Sequence, residues 1–305
     1  MPRSSDLIAW ASSDYCSDAL AVSARDDSAE NWVAASSLGV SVSDIGFRQG
    51  VVAVERLRTY HGRPVHLDRH LVRWRRTLDF LGIRLSTDVT EIDDRIAELI
   101  RRNRAWCDHA GDFGITMIAT PGDATRPTEM MHLNPLDHAV IARHQTDGQP
   151  LVITGVCQPS QQSWPRDIKV RCRLHYYQAD RIARGLMADA LGVLVDADGS
   201  VTETSVANLA IVTDNGIWSP PPSHVLPGVT QEWVKQLATD LAFGWEYRPL
   251  YPADLRQADE VWLMGTDGGL WFADRVDGVP VGDGTGGRVY QKLLAAFESA
   301  VAGPF

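Results

Sequence analysis

Within residues 51–81 the apolar period lengthens from two to about 3.6, and this change limits the fold more than any other feature of the chain. VVAVERLRTYHGRPVHL alternates and turns at His61-Gly62, the pattern of a β-hairpin. Directly beyond it, Leu67, Leu71, Trp74, Leu78 and Leu81 recur at helical spacing on one stripe. Arg69, Arg73 and Arg76 are expected on the opposite side, and Gly82 stops the helix. A second helix, Asp88 to Asn103, an apolar strand FGITMIAT ending at Pro121-Gly122, and a strand around Met130 to Leu133 follow. A half-apolar sheet and an apolar helix stripe each need another layer to bury them, so this half is α+β.

The second half reads as a strand (LVITGV), a strand ending at Lys169, and a helix from Leu174 to Leu191. Short strands with turns at Asp198-Gly199 and Asn215-Gly216 come next. A Pro-rich loop then feeds a helix beginning near Thr230, with Trp233, Leu237 and Leu241 on one face. Strands at Trp245–Pro249, Glu260–Met264 and Val276–Val281 and a helix at Val289–Val301 finish the chain. The expected class is α/β in two domains, 1–136 and 150–305, joined by a polar connector at 137–149 that contains Gly148. Residues 11–31, rich in Ser, Asp and Ala, read as a loosely structured extension or insertion.

A net charge of −10 argues against nucleic-acid and anionic-membrane partners, which need a clustered basic surface. Cys16, Cys107, Cys157 and Cys172 form no C-x-x-C pair, so neither a disulfide framework nor a metal site is expected. Reduced thiols, and an N-terminal apolar run (LIAWA) too short for a signal peptide or a span, point to the cytoplasm. GDGTGG at 282–287 satisfies G-x-G-x-x-G, but the chain ends before a second strand could form. It reads as a turn.

Lysine is rare here: Lys169, Lys235 and Lys292 stand among 29 basic residues. Unlike arginine, lysine can lose its proton near neutral pH and attack a carbonyl. Lys169 is therefore either a nucleophile or a solvated cation. Alternation places Arg171 and Arg173 on its face, which would favour the neutral amine. A lysine that bonds pyridoxal phosphate needs a carboxylate for the ring nitrogen and a helix N-terminus for the phosphate. Glu203, ahead of Asn208, supplies one, and Leu226-Pro-Gly228-Val229-Thr230 the other, with Gly265-Thr266 as a second turn. Each also has a plain reading, Glu203 as a solvated strand residue and Thr230 as an N-cap.

In that order, Lys169, Glu203-x4-Asn208, Leu226-Pro-Gly-Val-Thr230 and Gly265-Thr266 resemble the class IV (fold-type IV) pyridoxal-phosphate aminotransferases. Asp44-x-Gly46, Gly50, Glu55, His70-x-x-Arg73 and Asp277-Gly278 extend the likeness from about Ser43 to Leu294. The family includes branched-chain and D-amino acid aminotransferases and aminodeoxychorismate lyases. The resemblance implies a dimer whose two domains clamp the cofactor. It makes Lys169 the cofactor-bonding lysine, Glu203 the ring-nitrogen partner, and Arg73, Thr230 and Thr266 phosphate contacts beside the amides of Val229 and Thr230. Asn208, Gly228 and Gly265 belong to the same cofactor motifs.

Departures fall on the substrate side. Phe47-Arg48-Gln49-Gly50 replaces aromatic-Gly-Asp-Gly, Gln231 replaces an arginine, Asp267 replaces a small residue, and Leu174 stands where the branched-chain group has tyrosine. Arg48, Thr266 and Asp267 are thus the expected substrate residues. The expected reaction is transfer of an amino group from an amino acid, branched-chain or otherwise apolar, to a 2-oxo acid. A lyase is the alternative, toward which Lys169-x3-Arg173-Leu174 and Ala207-Asn208-Leu209 lean, and a non-catalytic cofactor-binding protein the third reading.

Overall fold

The computed structural model describes residues 7–12, 31–86, 89–123, 126–214 and 216–303. Most of the expected N-terminal extension (13–30), Asp88 and Asn215 lie outside the described residues. The chain divides into two compact units, the first running to Leu136 and including Lys169–Cys172, the second comprising Asp137–Ile168 and the chain from Arg173 onward.

The first unit is built from β1 (Ile8–Ala11), β2 (Trp32–Ala34), α1 (Ile45–Gln49), β3 (Ala53–Tyr60), β4 (Arg63–Pro64), α2 (Leu67–Leu81), α3 (Ile92–Arg102), α4 (Arg104–Ala110), β5 (Phe113–Thr120) and β6 (Thr128–Pro135). Its six strands form one antiparallel sheet in the order β2-β1-β6-β5-β3-β4. Ala53 and Leu57 of β3, Ile115 and Met117 of β5, and Met131 and Leu133 of β6 pack in one core with Leu71, Trp74 and Leu78 of α2. Because side chains alternate along a strand, Glu55, between Ala53 and Leu57, is carried to the same buried face.

That placement corrects the expectation for Arg73. Arg69 and Arg76 are exposed, but Arg73 is buried, together with His70 three residues earlier and Thr77 four later. The α2 stripe is wider than its leucines, and its polar part meets Glu55.

Residues 169–171 are not the end of a second-domain strand. Val54 N donates to Lys169 O (3.1 Å), Arg171 N donates to Val52 O (3.0 Å), and Val170 bridges Ala53. β5 and β4 leave this stretch of the β3 edge available, and its main-chain groups need partners. The expected 150–305 domain therefore loses four residues, Lys169–Cys172, to the first unit.

The second unit contains α5 (His138–Asp147), β7 (Leu151–Cys157), α6 (Leu174–Leu186), β8 (Leu191–Val195), β9 (Asn208–Thr213), β10 (Gly216–Ser219), α7 (Val229–Asp240), β11 (Trp245–Tyr247), α8 (Pro252–Gln257), β12 (Glu260–Gly265), β13 (Gly269–Phe272), β14 (Arg275–Val276), β15 (Val279–Pro280) and α9 (Arg288–Ala302). One sheet has the order β11-β10-β9-β12-β13 and the other β15-β14-β7-β8. The expected connector holds a helix, α5, whose first turn is capped by Asp137 accepting from Val140 N (3.0 Å). α6 ends at Leu186 rather than Leu191, because Met187 is extended and Asp189 takes a positive φ of 63°. α7 buries Val229, Trp233, Val234 and Ala238, whereas Leu241 is exposed. The expected Val276–Val281 strand is a tight hairpin turning at Asp277-Gly278, both with positive φ. No helix among the described residues is long and apolar enough to cross a membrane.

Candidate active site

Each unit assembles its own set of the expected residues. In the first, the Lys169 main-chain N–H donates to Thr77 Oγ1 (3.0 Å), and Thr77 Oγ1 donates to Arg73 O (3.0 Å), one helical turn back on α2. Arg73 reaches Glu55 with Nη2 on Oε1 (2.6 Å) and Nε on Oε2 (3.0 Å). His70 Nδ1 lies 3.0 Å from Glu55 Oε1. Burial alone would raise the Glu55 pKa, but Arg73 and His70 outweigh it and hold the carboxyl well below the usual range. Burial also holds His70 below its ordinary value against the pull of Glu55, so at neutral pH its Nδ1–H gives a hydrogen bond, not an ion pair. Lys169 is half-buried beside this group. Arg48 is exposed on α1. Asp44, read only as a family motif, is fully buried and pins α1, accepting from Gly46 N, Thr120 Oγ1 and Thr128 Oγ1.

In the second unit, Glu203 follows β8 and is buried. Its Oε1 accepts from Tyr176 Oη (2.7 Å) and Gln158 Nε2 (3.0 Å), and its Oε2 from Asn208 Nδ2 (3.1 Å) and Leu226 N (3.1 Å). Asn208 Nδ2 also donates to Leu226 O (2.8 Å), tying β9 to the loop that enters α7. There Gly228 is the N-cap and offers no side chain, and Val229 and Thr230 are the first helical residues. A Cβ on Gly228 would sit 2.0 Å from Asn208 Oδ1. Gly265 ends β12 where Met264 pairs with Asn208, and a Cβ there would sit 2.3 Å from Val206 O. Only glycine permits either approach. Glu203, Asn208, Gly228 and Gly265 are thus tied together through the Asn208 side chain and its strand pairing, with Val229, Thr230 and Thr266 following the two glycines in sequence. Asp267 is exposed in the β12–β13 turn.

Residues 53–276 match the family model for amino-transferase class IV. The chain belongs to the class IV aminotransferases. Its cofactor is pyridoxal phosphate, and its reaction is amino-group transfer. Among curated relatives, this aminotransferase is 24% identical to a D-alanine aminotransferase of Bacillus licheniformis over 277 residues, 87% of this chain and 93% of that protein. Among solved structures, its fold matches an Escherichia coli branched-chain amino acid aminotransferase (TM-score 0.83, 22% identity, 97% of this chain and 94% of that one). It also matches a branched-chain amino acid aminotransferase of T.th. with pyridoxamine 5'-phosphate (TM-score 0.84, 22% identity, again 97% and 94%).

The residues of this aminotransferase fit that cofactor. Ser205 Oγ and Gln231 Nε2 are buried with no hydrogen-bond partner among the described residues, one two residues beyond Glu203 in sequence and the other in the first turn of α7. An unpaired buried amide in the first turn of a glycine-led helix is what an anionic group would satisfy. Gln158, Tyr176 and Thr77 escaped the sequence reading. Gln158 follows a strand, and Tyr176 lies seven residues past Lys169 in an ordinary amphipathic helix, so neither carried a local signal.

Proposed function

We propose that this aminotransferase uses Lys169 and Glu203 as its catalytic pair, with an apolar monocarboxylic amino acid as donor and a 2-oxo acid as acceptor. Arg73, Thr230 and Thr266, with the amides of Val229 and Thr230, hold the cofactor phosphate, whose charge suits the positive end of α7. Asn208, Gly228 and Gly265 shape the cradle. Bound there, pyridoxal phosphate supplies the electron sink that lets the substrate α-carbon lose a proton. Lys169 Nζ takes that proton as base and gives it back as acid. Glu203, ionised, keeps the ring-nitrogen proton in place.

The observation that supports this assignment best is the Glu203 carboxylate, oriented by four neutral donors two residues from unpaired Ser205 Oγ. The donor class rests on what relatives of both kinds share, since D-alanine and the branched-chain amino acids named for them are apolar monocarboxylates. Asp267 in the Gly265-Thr266 turn would repel a second substrate carboxylate, and Arg48 is the cation expected to compensate if a dicarboxylate reacts. A homodimer in the cytoplasm completes the reading.

The test is the absorption spectrum of the purified protein with L- and D-amino acids added in turn, alongside Lys169→Ala. Wild type should respond to apolar donors and need a 2-oxo acid for turnover, which a lyase would not. Lys169→Ala should keep its circular dichroism but no longer become covalently labelled by cofactor on borohydride treatment. Labelling that persisted in the Ala variant would identify another lysine.

A further inference from the structure

Four hydrogen bonds on Glu203 divide into two pairs of different character. Those on Oε2 come from Asn208 and Leu226, members of the motifs that lead into Gly228 and α7. Those on Oε1 come from Tyr176, on α6, and Gln158, just beyond β7, neither of which belongs to any of those motifs. Gln158 Nε2 also donates to Tyr176 Oη (3.2 Å), so Gln158, Tyr176 and Glu203 close a ring of three side chains drawn from three separate segments.

The geometry of the ring is over-determined. Gln158 is anchored by its own main chain, whose N–H donates to Val195 O (2.9 Å) at the end of β8. The Tyr176 ring lies under the Arg173 guanidinium (4.6 Å to the centroid), and Arg173 is itself tied to Ser205 O. Burial, and then the negative charge of Glu203, raise the Tyr176 pKa well above the ordinary value, so the hydroxyl keeps its proton and remains a donor. Gln158 cannot titrate. At neutral pH both donors are therefore uncharged and directed at one oxygen.

We infer that Gln158 and Tyr176 are positioning residues that set the basicity and aim of Glu203, holding it as a weak, ionised carboxylate. This rests on the reading of Glu203 as the ring-nitrogen partner. The physical basis is that hydrogen bonds to an ionised carboxylate lower its affinity for a proton. With two further donors on Oε1 besides the two on Oε2, Glu203 competes poorly for a proton shared with a pyridine nitrogen, and the proton stays on the nitrogen. Removing either donor makes Glu203 a stronger base and draws the shared proton toward it. A purely structural pair would shift stability without moving that proton.

The experiment loads wild type, Tyr176→Phe, Gln158→Leu and Glu203→Gln with pyridoxal phosphate labelled with ¹⁵N in the ring, and reads the bound ring-nitrogen chemical shift at neutral pH. Wild type should give a protonated nitrogen, and Glu203→Gln a largely unprotonated one. Tyr176→Phe and Gln158→Leu should each move the signal part of the way. Their kcat should fall roughly three- to tenfold, the effect of about one hydrogen bond, with KM within about twofold. If Glu203→Gln moves the signal while both other variants coincide with wild type, the positioning role is wrong and the Glu203 reading stands. If Glu203→Gln leaves the signal in place, the Glu203 reading fails and takes this inference with it. Loss of bound cofactor from both Tyr176→Phe and Gln158→Leu would also overturn it, because the pair would then be holding the fold of the site.

Discussion

Two buried glutamates, one in each unit, accept from different kinds of donor. Glu55 meets a cation: Arg73 binds it through two nitrogens, and the pair is almost fully buried. The partners of Glu203 include four donors that carry no formal charge, from Tyr176, Gln158, Asn208 and the Leu226 main chain. Bidentate arginine cancels a charge as well as orienting it, whereas neutral donors orient a carboxylate and leave its charge to act on something else. On the proposed reading, the difference separates a glutamate that holds α2 to the sheet from one that acts on the ring nitrogen of the cofactor.

The sharpest way to break the comparison is to remove the cation. Arg73→Leu should strand Glu55 in the core and cost about 3–5 kcal/mol of unfolding free energy, read from urea denaturation at neutral pH. Adding Glu55→Leu should return much of that loss, since the buried charge goes with it. A single variant as stable as wild type would mean that Glu55 is not the buried, paired carboxylate described above.

Glu203→Gln tests the other half. Its fold and cofactor binding should survive, with stability changed by no more than about 1 kcal/mol, because an amide can still meet several of the same groups. Transamination should slow by about ten- to a hundredfold, since a neutral amide cannot hold the ring-nitrogen proton. Stopped-flow half-reactions with one amino acid would measure it. Unchanged turnover would remove Glu203 from the mechanism, and a stability loss as large as that of Arg73→Leu would make the two sites alike.

The smallest effect expected is in the pH dependence of stability, where the two regions should fail at opposite ends. Glu55 and His70 both have folded pKa values below their ordinary 4.5 and 6.5. Their contributions are therefore complete above those values and lost as pH falls, His70 beginning below about 6.5 and Glu55 below about 4.5. Tyr176 is shifted upward from 10.0, so its contribution is complete below that value and lost as pH rises through the folded one. Thermal melts across pH should show His70→Gln flattening the acid side and Tyr176→Phe the alkaline side. Tyr176→Phe acting on the acid side instead would contradict the assignment of charge.

Part of the candidate site is legible in the sequence, for a chemical reason. Lys169 stands out because amine chemistry is scarce in a chain of arginines, and Gly228 and Gly265 stand out because only glycine lets a backbone come so close to its neighbour. Glu203 and Asn208 are five residues apart, joined by the short segment that leads into β9, so their spacing carries information. Arg73 was placed on the wrong side of α2 because a leucine stripe gives the direction of the buried face but not its width.

Local sequence by itself determined the elements, since the period of the apolar residues follows from backbone geometry and acts over a few neighbours. It therefore set the β3 hairpin and the strand Phe113–Thr120. Only the tertiary structure decided partners. The Lys169 segment joins the β3 edge more than a hundred residues away, Gln158 and Tyr176 reach Glu203 across 45 and 27 residues, and Glu55 is claimed by Arg73. A hydrogen bond depends on direction and on a distance of about 3 Å, and no local pattern of residue types encodes which distant donor will arrive there.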